Sequence, residues 1–517
     1  MNNNILKAGV VMLMLGIATP QMFAQGYTAA ALEKLKEQRL WFHTSNAAGS
    51  VLDNTDNYSE VKIGYDITDG NFHRPQQGEN QKSLKVDCEG FMNLQSAYVW
   101  GEFSFEQRNI NEAGFNASIT DPYRGMPYFM ADEHLSDWRN QYYNMKFRAA
   151  TPLYWGKAAF GVEGAYRASL AAKQLDPRVD TRYFQLEVLP GVVYSIDGKS
   201  NIGANFMYSA LKEDSRMSNV NMTTPQTYYL LYGLGVAAKN IGDGESLDYN
   251  GHILGGGIQY NYQTQSCNVM VSANYSRRVE NFDRDLTDPK KDAGVDDRIW
   301  NFGAAAQMKG DNWDNHVRLS GRTGKINGIQ YINEYDNSDS FQGWMDIARN
   351  VRSVYKNQVW AADYSLLRNR GTEYAWRVDA GVKYTKLDDE YLLPNSIKKS
   401  ENMYMGLTAK YNAKLGDSLR RRLLVAVGGG YNNNLSGKFE YGGVNPDYPT
   451  VTVLETLDQQ YLTSDWYNLK ASAEYSQQIS QTQKMNAFAR AEFNYVKTSS
   501  HDFNHRSYVG VSIGVNF

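Results

Sequence analysis

Two cysteines in 517 residues, Cys88 and Cys267, are too few for a disulfide framework and offer no paired metal-ligand spacing. They fall on candidate strands far apart, so no bond between them is expected. Neither sign of charge dominates. The 53 basic and 56 acidic residues leave a formal net charge of -3. That gives no basic excess for nucleic acid and no charge block for a disordered tail. Long apolar runs are also missing. Only one run, near the start, approaches a helical span, and a mean hydropathy of -0.56 is too polar for a helical membrane protein. Proline is scarce, at 12 residues. There is no Gly-x-Ser-x-Gly, His-Glu-x-x-His or phosphate loop, so no enzyme and no cofactor are expected.

What is present is tyrosine (37 residues), glycine (44) and 42% hydrophobic residues. A transmembrane β-barrel explains the mixture, because its lipid face is apolar, its lumen polar and its rims aromatic. A secreted propeller or sandwich would share these averages.

The start reads as a Sec signal peptide over residues 1–24. Lys7 supplies the positive charge, Ala8–Ala18 the short apolar core, and Pro20 the break before a cut at Ala24/Gln25. No cysteine follows to accept a lipid. Gly26–Leu40 has the pattern of a short amphipathic helix, and Trp41–Asp56 is irregular. Residues 25–57 form a segment that lies either in the lumen or in the periplasm. The barrel occupies 58–517.

From Tyr58 onward the pattern alternates. In Glu373–Tyr384, Tyr374, Trp376, Val378, Ala380, Val382 and Tyr384 share one face, while Arg377, Asp379 and Lys383 share the other. Met403–Lys414, Cys267–Ser276 and Met485–Tyr495 alternate likewise. Two features separate a membrane barrel from a sandwich. The strands run about 10 to 16 residues, against about 5 to 6 in globular sheets and 9–11 for a tilted membrane strand. The links also alternate. Asp197-Gly198-Lys199, Gly310-Asp311-Asn312, Asn369-Arg370-Gly371 and Gly416-Asp417-Ser418 are short turns, whereas 108–140, 214–250, 326–352 and 437–462 are long.

The fold expected is therefore all-β. It is a transmembrane antiparallel up-and-down barrel of about 18 strands, from 58–66 and 82–92 to 507–517, with a short N-terminal helical or plug segment. The count falls to 16 if 58–66 and 82–92 belong to a plug. An even count puts both termini on the periplasmic side. Tyr262, Tyr275, Tyr384, Tyr411, Tyr475 and Tyr495 read as aromatic girdles. The last strand, Ser507–Phe517, ends with Phe517 in phase with Val509, Val511, Ile513 and Val515. That ending resembles the signal read by the outer-membrane barrel assembly machinery.

Three stretches carry a family resemblance. They are Ser45-Asn46-Ala47-Ala48-Gly49, Tyr98-Val99-Trp100-Gly101, and Pro127-Tyr128-Phe129-Met130-Ala131-Asp132. With the barrel pattern, the chain resembles an uncharacterised family of Bacteroidota outer-membrane barrels. Such proteins often accompany TonB-dependent transporters, so the resemblance implies nutrient or metal acquisition beside such a partner. A TonB-dependent receptor itself is disfavoured. It carries a large plug domain before roughly 22 strands, and only about 33 residues separate the signal from the first strand here.

Inward-facing charges are the functional candidates: Arg377, Asp379 and Lys383; Arg318 and Arg322; Glu163 and Arg167; Arg490 and Glu492. They would either line a pore and orient a polar solute or fill a closed lumen as ion pairs. His501, Asp502 and His505 form a weak metal candidate in the last outer loop, where a solvated loop is the default. The run Asp132, Glu133 and His134 is the nearest approach to a rim enzyme. The expected role is a porin-like or uptake-accessory barrel in the outer membrane. The alternative is a binding barrel whose loops 108–140, 214–250 and 437–462 engage a transporter or external ligand.

Overall fold

The computed structural model describes residues 26–53, 55–94, 96–221, 223–242, 244–285, 289–338, 341–416, 420–480 and 485–517. The signal segment expected at 1–24 lies outside them. The described chain opens with helix α1, Ala29–Glu37, whose N-cap Thr28 accepts from the Ala31 N–H. Lys34 and Lys36 sit in its last turn, where cations suit the helix dipole. Two 3-10 turns follow, Trp41–His43 and Ala47–Val51.

The strands are β1 (Tyr58–Asp69), β2 (Asn80–Leu94), β3 (Ala97–Ala113), β4 (Phe129–Ala131), β5 (Ser136–Ala150), β6 (Ala158–Lys173), β7 (Arg178–Ser195) and β8 (Ser200–Ser218). They continue as β9 (Gln226–Gly233), β10 (Val236–Gly242), β11 (Gly244–Gln263), β12 (Cys267–Arg284), β13 (Lys290–Lys309), β14 (Trp313–Ser338) and β15 (Phe341–Arg370). The last are β16 (Glu373–Tyr391), β17 (Ser396–Gly416), β18 (Arg421–Glu440), β19 (Trp466–Ser480), β20 (Met485–Thr498) and β21 (His505–Asn516). Eighteen of these form one closed antiparallel sheet, and β4, β9 and β10 form a separate three-stranded sheet.

Closure comes from β1, which pairs with β2 on one side and β21 on the other. Ser59 and Phe517 exchange backbone hydrogen bonds of 2.7 and 2.9 Å at the seam. The 16-strand alternative is thereby corrected. Residues 58–66 and 82–92 are wall, because without β1 and β2 the sheet would keep two open edges. Cys88 and Cys267 are free thiols on β2 and β12.

The short links gather at the end that carries both sheet termini. Asp197 accepts from the Lys199 and Ser200 N–H groups, and Gly198 supplies a φ of +78°. Followed sideways, one row of paired residues starts at Ser59 beside Phe517, passes Leu254 and Arg277, and reaches Lys438 near the other end of β18. That climb is the stagger that barrel closure imposes on tilted strands.

The outer wall is apolar. Leu319, Met405, Leu407, Val511 and Ile513 are exposed on it. Aromatic residues bound this band. Tyr275, Trp300, Phe302 and Trp360 form a chain of ring contacts on the loop side, and Trp313 packs edge-on against Trp376 on the turn side. Trp300 pairs with Thr323, ten residues along β14 from Trp313. At about 3.3 Å per residue and about 40° of tilt, that span is about 25 Å, the height of a lipid-facing band. No helix among the described residues is long and apolar enough to cross a membrane. The crossing belongs to the strands, and the architecture is that of an outer-membrane β-barrel.

Three expectations need correction. Residues 326–352 are mostly strand, not loop: β14 and β15 stay paired out to Ser338 and Phe341. In 214–250, the ends of β8 and β11 and the hairpin β9–β10 replace most of the loop. Both were missed because a strand that has left the membrane no longer needs one apolar face. The third correction is Tyr374. A register shift between β15 and β16 inserts Ala375 as an extra residue. It turns Tyr374 inward, where its hydroxyl donates to Glu33 at 2.7 Å.

Leu319 sits near mid-band on the outer face, and its neighbour Ser320 faces the lumen. Leu319→Arg is expected to destabilise the barrel by about 2–4 kcal/mol and Ser320→Arg by far less. Chemical unfolding from lipid vesicles measures both, and equal losses would contradict the assigned faces.

Candidate functional site

The N-terminal segment lies inside the barrel, at the end with the short turns. The contacts explain why. Glu33 of α1 meets Lys410 at 2.8 Å, Lys34 donates to Asn369 at 2.7 Å, and Lys36 meets Glu89 at 2.5 Å. Glu37 is held by Arg377 and lies 3.3 Å from His316. Thr28 donates to Glu373, which also binds Arg422. A helix with charges on several sides fits a polar lumen, because each charge finds an opposite one on the wall.

Beyond α1, the chain lies flat against the wall. Asn46 is fully buried and donates to the carbonyls of Val192 (3.0 Å) and Ala204 (3.2 Å) and to Gln259 (2.9 Å). The wall there is glycine for a steric reason. A Cβ on Gly161 would collide with the backbone of Ala48, and one on Gly191 with the Asn46 side chain. Arg148 reaches in from β5, donating to the carbonyls of Phe42 (2.6 Å) and Thr44 (3.0 Å) while paired with Glu163. Trp100 contacts the Phe42 ring edge-on at 5.0 Å and donates to Glu89. Two of the stretches that carry the resemblance therefore meet: the one around Asn46 is the segment, and the one around Trp100 is part of its bed.

The third stretch fills the opposite half of the lumen. The long connection between β3 and β5 folds inward, where β4 pairs with β9. Tyr128, Met130, Leu230 and Ile119 are fully buried against inner-wall residues such as Phe282, Val295 and Ile326. Burying such side chains contributes roughly 1.5–3 kcal/mol each. At the tip, Arg124 sits between Glu213 of β8 (3.0 Å) and Glu280 of β12 (2.9 Å). Arg278 braces Glu280 at 3.0 Å and donates to the carbonyls of Arg124 and Gly125. The mouth is tied across by Arg74, which donates to Asp458 at 2.8 Å; Lys398 binds the same carboxylate. Burial works to raise the Asp458 carboxyl, but Lys398 and Arg74 outweigh it and hold the group well below the usual carboxylate range.

Between α1 and the inner faces of β19, β20, β21, β1 and β2, a cavity of about 360 Å³ remains. Six carboxylates line it (Glu33, Glu60, Asp66, Asp87, Glu474 and Glu492), against four cations (Lys36, Lys62, Lys85 and Arg490).

The structure distributes the expected site residues. Arg490 and Glu492 line the cavity. Arg377 binds Asp379 and Glu37, and Glu163 binds Arg148. Arg167 donates to Gln185. Arg318 acts electrostatically on His43. Arg322 stands opposite Asn301, and Lys383 opposite Tyr404. His501, Asp502 and His505 do not converge. His505 stacks on Tyr495 at 5.7 Å, and the Asp502 carbonyl accepts from Asn71. Among the described residues no group of three or more His, Cys, Asp or Glu side chains could hold a metal ion. Asp132 is a fully buried partner of Lys173 at 2.7 Å and also meets His134. Arg124, Arg148 and Asn46 escaped the reading of the sequence. Lumen-facing carboxylates without a base on the next strand, such as Glu213 and Glu280, were the available sign of an inserted partner.

A family model described as "Family of unknown function (DUF6850)" matches residues 47–517. No curated protein matches the sequence. Among solved structures, the ferric citrate transporter FecA in its unliganded form is similar at 8% identity and a TM-score of 0.43, over 89% of this chain and 78% of that chain. The ferric preacinetobactin receptor BauA from Acinetobacter baumannii gives 8% and 0.40, over 89% and 80%. The ferric yersiniabactin uptake receptor FyuA from Yersinia pestis gives 11% and 0.38, over 89% and 80%. Likenesses this distant carry no argument about what this chain does.

Arg124→Ala leaves Glu213 and Glu280 buried without their shared cation, a loss of roughly 3–5 kcal/mol. The tip of the inserted connection should then loosen and become more sensitive to protease between 114 and 135, while its apolar core and the barrel stay folded. Glu213→Gln with Glu280→Gln in the same chain should restore part of the protection. An unchanged digestion pattern for Arg124→Ala would show that the ion pairs do not hold the insertion.

Proposed function

The chain belongs to this family of unknown function, and from its own geometry we propose that it is a gated outer-membrane conduit for a small, polar, positively charged solute. The observation that carries this reading is the luminal cavity, whose lining has two more carboxylates than cations. An excess of one sign in a low-dielectric channel attracts the opposite ion. Gating is supported by how the N-terminal segment is held. Its grip combines ion pairs and hydrogen bonds, which water can replace, with apolar contacts of Leu32, Leu40 and Trp41. In this reading residues 1–24 direct export, Phe517 guides insertion by the barrel assembly machinery, and a TonB-dependent transporter works beside the barrel. The role is passage, not catalysis, in keeping with the commitment of Asp132 to Lys173.

A second reading rests on a separate feature. β14 and β15 continue far beyond the aromatic row at Trp360 as a paired arm, with Ile332, Tyr335, Met345 and Ile347 exposed on it. Such an arm suits contact with a partner transporter. Shortening it by removing residues 330–350 should abolish co-purification of that partner in mild detergent while the barrel still folds. Undiminished recovery of the partner would remove this reading.

Planar bilayers test the conduit. The mature chain should show little conductance. Deletion of 25–57, or Gly161→Val, which drives a side chain against Ala48, should raise it and favour cations over anions. If all three forms are equally silent, or the opened forms favour anions, the proposal fails.

A further inference from the structure

The outward face of β12–β15 carries a run of cations in direct lateral register. Arg277 stands opposite Arg298, Arg298 opposite Lys325, and Lys325 opposite Lys356. Like charges directly opposite on neighbouring strands repel and destabilise the sheet. Three such pairs in succession call for a counter-charge. The protein supplies only part of it: Asp296 binds both Arg277 (2.8 Å) and Arg298 (2.8 Å). Among the described residues, Lys325 and Lys356 have no ion-pair partner. Asp388, the neighbour of Lys356 on β16, is taken by Lys399 at 3.0 Å. Four cations against one carboxylate leave an excess of three positive charges.

The location says where the missing anions lie. Arg277 and Arg298 are two residues beyond Tyr275 and Trp300, the row that bounds the apolar band on the loop side. Strand tilt then carries Lys325 and Lys356 farther outward. The run thus rises obliquely from the edge of the hydrocarbon through the headgroup zone of the leaflet on the loop side. At about 4.8 Å between strands it spans about 14 Å, room for more than one phosphate. An apolar, aromatic floor below and cations above match a lipid: acyl chains against the rings, phosphates against the bases.

We propose that Arg277, Arg298, Lys325 and Lys356 form a binding site for a phosphorylated lipid headgroup in the leaflet on the loop side. The site lies outside the lumen and is independent of the conduit. Arg offers a fork to two phosphate oxygens and Lys a compact point charge. The bound lipid would cancel the cross-strand repulsion and stiffen the wall on β12–β15.

The mature chain in dodecyl maltoside is the material for the test. Purified bisphosphorylated lipid A, a neutral phosphatidylcholine and free inorganic phosphate are titrated separately, with binding read by native mass spectrometry and by the thermal midpoint. Lipid A should bind and raise the midpoint, the neutral lipid should do neither, and free phosphate should not displace lipid A at matched concentration. Changing Lys325 and Lys356 to Gln together with Arg277 and Arg298 to Gln should weaken lipid A binding at least about 10-fold. Lys325→Arg with Lys356→Arg should keep it, and Lys438→Gln, an outward lysine paired with Glu440, should leave it unchanged. The proposal is overturned if the neutral lipid binds as well as lipid A. Full displacement by free phosphate, or equal lipid A affinity in the four-site and Lys438 variants, would overturn it too.

Discussion

Hydrocarbon offers no hydrogen bonds, so a sheet that crosses it must leave no backbone group unpaired. In this chain that requirement is met at the seam, where β1 lies between β2 and β21 and Ser59 and Phe517 exchange their backbone hydrogen bonds. Everything else follows from the closed wall. Closure forces the strands to tilt, tilt sets the diameter, and eighteen strands enclose a space too wide for their own side chains to fill. The interior has to be occupied by other chain or left to water.

Two pieces of chain take up that space, with different balances of apolar and polar contact. The connection between β3 and β5, with the β9–β10 hairpin, behaves like a small globular core: Tyr128, Met130 and Leu230 lose all contact with water. Such packing is stable and not readily reversed. The N-terminal segment adds a set of charges and hydrogen bonds to smaller apolar clusters around Leu32, Ala30 and Trp41, and it approaches the wall closely where Gly161, Gly191 and Gly203 make room. Its partners Lys410, Arg377 and Asn369 are wall groups that water would solvate if the segment left. These exchangeable polar contacts are what the proposed gating at the N-terminal end would use. The charged cavity lies beside the segment, with Glu33 and Lys36 of α1 in its lining, so motion of the segment would change both its size and its charge.

The outer surface follows a simpler rule, and its exceptions are informative. Between the aromatic rows it is apolar, and charges reappear as soon as the rows are passed. The four cations from Arg277 to Lys356 depart from the usual mixing of signs. The departure begins just beyond the aromatic row on the loop side, where the proposed lipid phosphates would lie.

Much of this was legible in the alternation of side chains. A period of two has only two phases, so each strand declares which residues meet lipid. That is why Arg377, Glu163 and Arg490 read as inward-facing, and why only 58–66 and 82–92 read as either wall or plug. The reading failed where the phase slips, as at Ala375 beside Tyr374, and where strands leave the bilayer, as in residues 326–352. Local pattern could not say what fills the lumen. Glu33 and Lys410 are 377 residues apart, and Arg278 lies 154 from the carbonyl it grips at Arg124. Such pairs exist only because closure brings opposite walls within reach of the same short segment. Periodicity settled the wall, since each strand carries its own evidence of water or lipid on either side. The contents of the cylinder were settled by three-dimensional proximity, because one charge on a strand does not reveal which distant charge will face it.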